Sequence, residues 1–297
     1  MATPLARKIK SIIAETGPIS VADYFAICLA DPEYGYYRAR EPFGRTGDFV
    51  TAPEISQLFG EMIGIFAVHA WQGHGEPDHV RFIEIGPGRG TLMADALRTI
   101  EKLAPKLLRA LSVELVETSE RLRAVQRQTL VNWKEIIAWH DDFATVPDGF
   151  SLVIANEFFD AIPIRQFVRT DNAFRERVIA LDEAGELRFA VGPTGIEPDL
   201  LPDRGANAPT DALFEVSPAR TAIMLSLAER LVAHGGTALI IDYGHLNSNY
   251  GDTLQAIYRH EFDPPLHRPG EADLTSHVDF EALAMAALAA GAHVHRS

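Results

Sequence analysis

A short apolar stretch in this chain runs directly into three alternating glycines. Residues 80–85 read as a buried strand, and Gly86, Gly88 and Gly90 follow it at every second position. Glycine reaches backbone conformations that are closed to other residues, and it leaves N–H groups uncovered where a helix begins. The segment therefore predicts a strand-turn-helix unit that binds a nucleotide-like ligand.

The spacing of these glycines separates two classes of cofactor. The dinucleotide fingerprint has its last glycine one position later, where this chain has Thr91. The observed pattern, GxGxG, favours S-adenosylmethionine over a nicotinamide dinucleotide. A nicotinamide oxidoreductase is the alternative that Thr91 disfavours.

A second apolar stretch is followed by a carboxylate, as the first is followed by the glycine turn. Residues 111–116 read as a strand that ends at Glu117, just before a helical stretch that starts near Ser119. A carboxylate in this position can accept hydrogen bonds from both ribose hydroxyls. The alternative is that Glu117 only favours the positive N-terminus of the next helix. The order of strand, glycine turn, helix, strand and acid favours ribose binding.

From residue 80 onward, the pattern alternates between strands and helices. The expected core strands are 80–85, 111–116, 135–139, 151–155 and 237–242, with helices at 91–103, 119–131 and 218–233. Repetition of this kind predicts an α/β fold with a doubly wound, Rossmann-like parallel sheet. Between strands four and five, an insertion at about 164–215 has alternating segments, which predict an antiparallel β excursion.

Residues 1–79 are predicted to form an N-terminal helical cap with a substrate-side loop. A first helix starts at Pro4, Ser20 caps a second, and residues 34–50 read as a long loop. Residues 51–54 (Thr-Ala-Pro-Glu) match the capping-box pattern ahead of a helix expected from about Ala52 to Trp71. Two glycines in that helix, Gly60 and Gly64, predict close packing against a neighbouring element.

Composition excludes several classes of function. The formal net charge of −14 opposes binding to nucleic acid. No apolar run approaches about 20 residues, and residues 1–10 lack the apolar core of a signal peptide, so we expect no membrane association and a cytoplasmic protein. The single cysteine, Cys28, is expected to be buried, and the eleven histidines match no metal-ligand spacing, so no metal is expected.

Two carboxylates and an amide follow the fourth strand. Residues 156–161 read Asn-Glu-Phe-Phe-Asp-Ala, at the edge where open α/β sheets bind their ligands. The flanking phenylalanines predict partial burial, and buried charges need partners, ideally a cation. The alternative is that Glu157 or Asp160 merely caps the following turn. Because the two acids occur together with Asn156, a functional role is favoured.

These side chains suit transfer of a methyl group to a nitrogen. A methyl group on a sulfonium is already activated, so transfer mainly requires alignment. Arginine stays protonated in water, so carboxylates would orient its guanidinium and accept the proton as the new bond forms. We therefore predict Glu157 and Asp160 as catalytic residues, with Asn156 beside them.

Two further acids follow the third strand. Asp141 and Asp142 lie where folds of this type commonly hold the adenine amino group with a carboxylate. The sequence does not decide which of the two binds adenine. A solvated acidic loop is the alternative.

Taken together, these segments resemble the MidA-like family of S-adenosylmethionine-dependent methyltransferases. The mitochondrial members of that family are protein-arginine methyltransferases that assist the assembly of respiratory complex I. The resemblance covers nearly the whole chain, and five blocks in family order carry it: residues 47–56, 84–90, 156–163, 242–244 and 273–280.

The resemblance implies a class I methyltransferase with a seven-stranded sheet at residues 80–297. It implies S-adenosyl-L-methionine as cofactor and methyl transfer to arginine on a protein, with a respiratory complex I subunit as partner. It adds Glu84 and Asn156 to the cofactor-binding residues. It also identifies a set of pocket residues, namely Gly47, Asp48, Thr51, Pro53 and Glu54.

The chain departs from the family in one respect. Family members continue past the segment after Phe280, whereas this chain ends at Ser297, so we expect a sixth strand near His293 and no last strand. An unpaired edge strand promotes self-association, which suggests a homodimer. A cofactor-binding assembly factor or chaperone without turnover is the alternative to an enzyme.

Overall fold

The computed structural model describes residues 2–36, 53, 56–171 and 173–295. Helices bounded within these residues are α1 (Pro4–Thr16), α2 (Val21–Ala30), α3 (Gln57–Gly73), α4 (Thr91–Leu103), α5 (Pro105–Ala110), α6 (Glu120–Thr129), α7 (Pro218–His234) and α8 (Phe280–Ala289). The strands are β1 (Ile19–Ser20), β2 (Val80–Ile85), β3 (Leu111–Val116), β4 (Ile137–His140), β5 (Ser151–Asn156), β6 (Arg165–Arg169), β7 (Phe174–Leu181), β8 (Leu187–Gly195), β9 (Leu213–Val216), β10 (Gly236–Ile241), β11 (Gly244–His245), β12 (Gln255–Tyr258), β13 (Glu261–Asp263), β14 (Asp273–Thr275) and β15 (Val278–Asp279).

The chain divides into two compact units, which interleave along the sequence. The first unit comprises Met1–Pro42, Asp160–Ala222 and Tyr243–Leu283; the second comprises Phe43–Phe159, Ile223–Asp242 and Ala284–Ser297. The N-terminal helices thus belong to the same unit as the insertion. The predicted boundary at residue 80 follows chain order, whereas each of the two units combines separate segments of the chain.

The second unit is built on a parallel five-stranded sheet. Its order is β10-β5-β2-β3-β4, and every neighbouring pair is parallel. The predicted doubly wound arrangement of core strands is confirmed. Strands β2 and β3 and helix α4 begin and end at the predicted residues, because apolar strand runs and a glycine turn are strong local signals.

Apolar side chains on one face of this sheet pack against α3 and α4. Phe82, Val113 and Ile154 of the strands lie in one buried cluster with Leu97 and Ile100 of α4. A parallel strand that is covered on both faces is apolar at nearly every position, and β2 is buried at five of its six residues. This packing fixes the direction in which the glycine turn leaves β2.

Helix α3 begins later than predicted, but its glycines pack as expected. The helix is capped by Ser56, whose hydroxyl accepts from the Leu58 N–H at 3.2 Å, and the predicted cap at residues 51–54 lies outside the described residues except for Pro53. A Cβ atom at Gly60 would lie 2.5 Å from Asp95 Cβ, and one at Gly64 would lie 2.7 Å from the Ala96 carbonyl oxygen. The predicted close packing is confirmed.

We expect Gly60→Ala to destabilise the second unit by about 1–3 kcal/mol, because the added methyl overlaps α4 backbone and side chain and forces the helices apart. The matched control is Gly73→Ala on the same helix, where a Cβ meets nothing within 4 Å among the described residues. The control should be neutral or slightly stabilising. Urea unfolding of both variants measures the difference, and equal stabilities would contradict the close contact.

The first unit combines the N-terminal helices with an antiparallel sheet. Strands β1, β7, β6 and β9 are adjacent in that order, and β8 pairs with β7, which confirms the predicted β excursion. Ser20 caps α2 through a 2.9 Å bond from the Asp23 N–H, as predicted. Cys28 is fully buried, also as predicted, and burial raises the pKa of its thiol to about 12.

The expected sixth strand is absent from the described residues. Residues 292–295 are irregular, and Val294 is the one large apolar side chain among them, too little to cover a sheet edge. Within the described part of the chain, no helix is both long and apolar enough to span a membrane.

Candidate functional site

The parallel sheet of the second unit aligns the ends of its strands. Ile85 is opposite Val116 and Ala155, and Asn156 is opposite Ile241. The residues that come next therefore lie along a single edge, and backbone bonds extend the ladder there. The Gly86 N–H donates to the Val116 carbonyl at 3.1 Å, and the Glu157 N–H donates to the Ile241 carbonyl at 2.8 Å. This edge is the candidate site.

The glycine turn has the conformation that its sequence predicts. Gly86, Gly88 and Gly90 have φ values of 70°, 51° and 80°, a region that side chains disfavour. Gly90 is the N-cap of α4, and no side chain among the described residues caps that helix. A helix N-terminus without a side-chain cap is suited to a negatively charged group of a ligand.

The turn after β5 lies directly on the glycine turn. A Cβ atom at Gly86 would be 3.1 Å from Cδ2 of Phe158, so glycine allows the two turns to approach closely. Glu157 has φ 46°, an uncommon conformation for a glutamate. Asp242, which follows β10, accepts from the Phe159 N–H through Oδ2 at 3.0 Å. Residues 157–159 are therefore held in a defined turn at the sheet edge.

Glu84 is a buried carboxyl group just before the glycine turn. It lies in register with the core residues Leu115 and Ile154, and its side chain is only 3% exposed. Its Oε2 atom has no hydrogen-bond partner among the described residues. Burial raises the pKa of Glu84 to about 8. A buried polar atom of this kind is suited to a ligand that supplies the missing hydrogen bond.

The buried amide of Gln126 connects three parts of the site. Its Nε2 atom donates to the Gly88 carbonyl at 2.7 Å and to Oε2 of Glu117 at 3.2 Å, and its Oε1 atom accepts from the Trp139 indole N–H at 2.9 Å. Glu117 also accepts from the Ser119 N–H at 2.7 Å. Burial raises the pKa of Glu117, whereas these hydrogen bonds lower it. Glu117 is thereby fixed beside the glycine turn.

The structure distinguishes between the two aspartates after β4. Asp141 accepts from the Arg123 guanidinium at 2.7 Å, and the Arg123 Nε–H also donates to the Glu117 carbonyl at 2.7 Å. Asp142 instead caps the short turn that follows, where its Oδ1 atom accepts from the Ala144 N–H at 2.9 Å. Asp141 is thus connected to Glu117 through Arg123, whereas Asp142 caps the next turn.

Asp160 belongs to the first unit, where it is almost fully buried. Its carbonyl oxygen accepts from the Ser276 N–H at 3.1 Å and from the Arg220 guanidinium at 3.2 Å. Burial raises the pKa of its carboxyl group, which hydrogen bonds with Tyr243. Glu157 and Asn156 belong to the second unit.

Among the predicted pocket residues, Pro53 is described and is half-buried. Gly47, Asp48, Thr51 and Glu54 lie outside the described residues. Their roles stay predictions, as do the individual roles of the other site residues.

Three residues of the site were not predicted from the sequence: Arg123, Gln126 and Asp242. Arg123 and Gln126 are three residues apart on α6, so they lie on one face of that helix. Helix α6 is the element that follows β3 and Glu117 in the sequence. A polar pair on the buried side of an otherwise amphipathic helix was the available signal. Asp242 ends the predicted strand 237–242 and begins one of the blocks that carry the resemblance, but neither signal identifies its bond to Phe159.

The residues at this edge fit an adenosine-type cofactor. The glycine turn leads into a helix N-terminus without a side-chain cap, Glu117 offers oxygens to a ribose, and Glu84 has a buried oxygen without a partner among the described residues. The turn that follows β5 carries Glu157 at the same edge. The second unit therefore combines a cofactor cradle with an acid suited to orienting a cationic acceptor.

Comparison with known proteins agrees with this geometry. The model of a family of S-adenosyl-L-methionine-dependent methyltransferases matches residues 62–297. Relatives from Mus musculus and Homo sapiens, both named protein arginine methyltransferase NDUFAF7, mitochondrial, are 37% and 36% identical. Both alignments cover 95% of this chain, and they cover 69% and 68% of the respective relatives.

A solved structure shares the fold over almost the whole chain. It is a protein from Burkholderia thailandensis that was crystallised with S-adenosyl-homocysteine bound, with a TM-score of 0.84 and 30% identity. The match covers 97% of this chain and 76% of that one. The class I methyltransferase fold predicted from the sequence is confirmed.

The prediction of a cytoplasmic location is wrong. The relatives from mouse, human and Drosophila melanogaster are named as mitochondrial proteins. The prediction depended on the lack of an apolar signal core and of long apolar runs, and these features also occur in proteins that function inside mitochondria.

Proposed function

Because the chain belongs to the family of S-adenosyl-L-methionine-dependent methyltransferases, we propose that it methylates arginine on a protein substrate. The observation that carries the proposal is the contact between the glycine turn and the Glu157 turn, in which Gly86 leaves room for Phe158. This contact between the two turns supports Glu157 as a carboxylate beside the cofactor. The names of the relatives support a protein arginine as the acceptor.

The cofactor would be held by the edge of the parallel sheet. We assign its amino-acid part to the glycine turn at Gly86, Gly88 and Gly90 and to the helix N-terminus behind it, with Glu84 and Asn156 nearby, and its ribose to Glu117. Asp141, with Asp142 as the less suitable neighbour, would accept from the adenine amino group. When bound, S-adenosylmethionine supplies a methyl group that its sulfonium already activates.

The carboxylates after β5 would orient the acceptor guanidinium and accept its proton. Glu157 would accept hydrogen bonds from the guanidinium and hold its positive charge away from the attacking nitrogen. A carboxylate here would accept the proton that the acceptor nitrogen loses when it takes up the methyl group. Asp160, three residues along the chain, is the proposed second carboxylate, and Asn156 the proposed neutral partner.

Other sequence-based assignments enter as part of this proposal. Residues 1–79 would form an N-terminal helical cap with a substrate-side loop, and residues 80–297 a methyltransferase domain. Gly47, Asp48, Thr51, Pro53 and Glu54 are the proposed pocket residues. We propose a subunit of respiratory complex I as the acceptor protein, following the family resemblance.

A homodimer is proposed on the basis of strand β10. Within the described residues β10 pairs only with β5, and all six of its residues are half-buried. An open edge of this kind can pair with a second copy. Sedimentation of Ile240→Lys, a change that blocks edge pairing, should show a monomer where the wild-type chain is a dimer.

Labelled methyl transfer tests the proposed function. The purified protein and S-adenosylmethionine with a labelled methyl group are added to an extract that lacks this protein, and the modified proteins are identified by mass spectrometry. We expect the label on arginine of one or a few proteins. Label on lysine or on small molecules would contradict the acceptor class, and no label would favour a cofactor-binding assembly factor.

Gln126→Leu should weaken S-adenosylmethionine binding by about tenfold or more. The change removes the hydrogen bonds that fix Glu117 and the Gly88 carbonyl, and each buried group left without a partner costs about 1–3 kcal/mol. Isothermal titration calorimetry measures the affinity. Gln128→Leu, at an exposed position of the same helix, is the matched control and should bind normally. Unchanged affinity in Gln126→Leu would refute this role.

A further inference from the structure

The first unit contains a cavity that the proposed mechanism does not use. Its volume is about 510 Å³, within the range of small-ligand pockets. Phe214, Tyr250 and Leu283 form part of its apolar wall, and Glu215 and Asp279 contribute carboxylates. We call it the acidic cavity, defined by Phe214, Glu215, Tyr250 and Asp279.

The carboxylate of Glu215 is fixed by neighbours that leave room for one more donor. Its Oε1 atom accepts from Gln166 Nε2 at 2.6 Å and from the Thr253 N–H at 3.0 Å, and its Oε2 atom accepts from the Thr253 hydroxyl. An ionised carboxylate can accept about four hydrogen bonds, so Oε2 retains capacity. Burial raises the pKa of Glu215, and a cation nearby would offset that cost.

Asp279 is distant from Glu215 in the sequence but contributes a second carboxylate to the wall of the same cavity. Its Oδ2 atom accepts from the Ser248 hydroxyl at 2.6 Å, and its Oδ1 atom accepts from the Ala282 N–H at 3.0 Å. Nε2 of His245 in the same wall lies 3.7 Å from Asp279 Oδ2. The guanidinium in the wall, Arg220, donates to the His277 carbonyl at 2.7 Å and to Ser276 Oγ at 2.6 Å. The wall thus combines two carboxylates with a guanidinium that donates to neighbouring protein oxygens.

The cavity wall continues into the turn that carries Asp160. Thr253, which holds Glu215, accepts from the His277 N–H at 3.0 Å. Arg220 bonds both to the His277 carbonyl and to the Asp160 carbonyl. A ligand in the acidic cavity would therefore lie close to the turn of a proposed catalytic carboxylate.

We propose that the acidic cavity binds an arginine side chain of the acceptor protein. Glu215 and Asp279 provide acceptors for a guanidinium, which pairs with carboxylates through its planar fork. Phe214 and Tyr250 provide aromatic surface for the guanidinium plane, and the remaining apolar wall suits the hydrocarbon stem and a neighbouring side chain. The inference rests on the proposed function, because it names how that same acceptor is held.

Peptide binding without cofactor tests this proposal separately from methyl transfer. The probes are acetyl-Gly-Leu-Arg-Leu-Gly amide and the same peptide with citrulline, which has the shape of arginine without its charge. Calorimetric titration of the whole chain should show that the arginine peptide binds at least about tenfold more tightly than the citrulline peptide. Asp279→Asn and Glu215→Gln should each abolish that preference.

The two variants keep the size and planar shape of the acids and remove only their charge and one acceptor atom, and thermal unfolding checks that each variant is folded. Glu261→Gln, an exposed acid of the same unit, removes one negative charge outside the cavity and should preserve the preference for arginine. Equal binding of the two peptides, unchanged preference in Asp279→Asn and Glu215→Gln, or no binding up to about 10 mM would overturn the proposal. If the arginine preference is present but no methyl transfer occurs, the cavity assignment stands and the proposed function fails.

Discussion

Glu157→Gln should lower kcat for methyl transfer by about 10²–10⁴-fold while S-adenosylmethionine affinity stays within a few-fold. The amide keeps the size of the side chain, but it can no longer accept the proton or hold the guanidinium charge. Since Glu157 lies in the turn against Gly86, the cofactor cradle itself should be unaffected. Steady-state kinetics with calorimetric cofactor titration measure both quantities.

The backbone conformation of Glu157 suggests a second variant, which separates an effect on catalysis from an effect on folding. Glu157 has φ 46°, a conformation that costs a glutamate about 1 kcal/mol and that asparagine tolerates better. Glu157→Asn should therefore be at least as stable as the wild-type chain and still inactive. Stored strain of this kind is frequent at functional turns.

Glu76 is a matched control in the same unit. It also has a positive φ, 59°, and it lies after α3, where it pairs with Lys106 at 2.7 Å. Glu76→Asn should keep normal turnover. Normal turnover in Glu157→Gln would remove Glu157 from the mechanism and leave its turn a purely structural feature.

Glu84→Gln should change how stability depends on pH. In the folded chain the pKa of Glu84 is about 8, above the ordinary value of 4.5. Between these values the unfolded chain is ionised and the folded chain is protonated, so unfolding releases a proton. The contribution of Glu84 to the stability of the wild-type chain is therefore greatest below pH 4.5, and it falls as the pH rises toward 8.

The glutamine variant lacks this titration because it is neutral throughout. Relative to the wild-type chain, its free energy of unfolding should increase by about 3 kcal/mol between pH 5 and pH 8. Urea unfolding at several pH values measures the difference. Glu183→Gln, at an exposed position, should show a constant difference from wild type. A constant difference in Glu84→Gln would mean that Glu84 is not protonated in the folded chain.

Glu84→Gln should also lose affinity for S-adenosylmethionine if Glu84 accepts a hydrogen bond from the cofactor. A gain in stability with a loss of binding would identify Glu84 as a buried acid retained for function rather than for folding. Unchanged affinity would limit Glu84 to a structural role.

Much of the site's scaffold was predictable because its signals are local. The apolar run of β2, the glycines after it and the apolar spacing of α4 each depend on residues adjacent in sequence. The parallel register followed from the strand-helix alternation, and with it the position of Glu117 and Glu157 at one edge. The start of α3 was less predictable, since more than one residue near it can cap a helix.

What the sequence determined by itself was the fold class, the cofactor class and the acids at the ends of the strands. Tertiary structure decided how those acids are held. The Gln126 bonds to Gly88 and Glu117, the Arg123 bridge to Asp141 and the Asp242 bond to Phe159 all join separate elements. A polar side chain can reach many partners from its place in the sequence, and only packing of the helices on the sheet selects one, because burial makes each unpaired group costly.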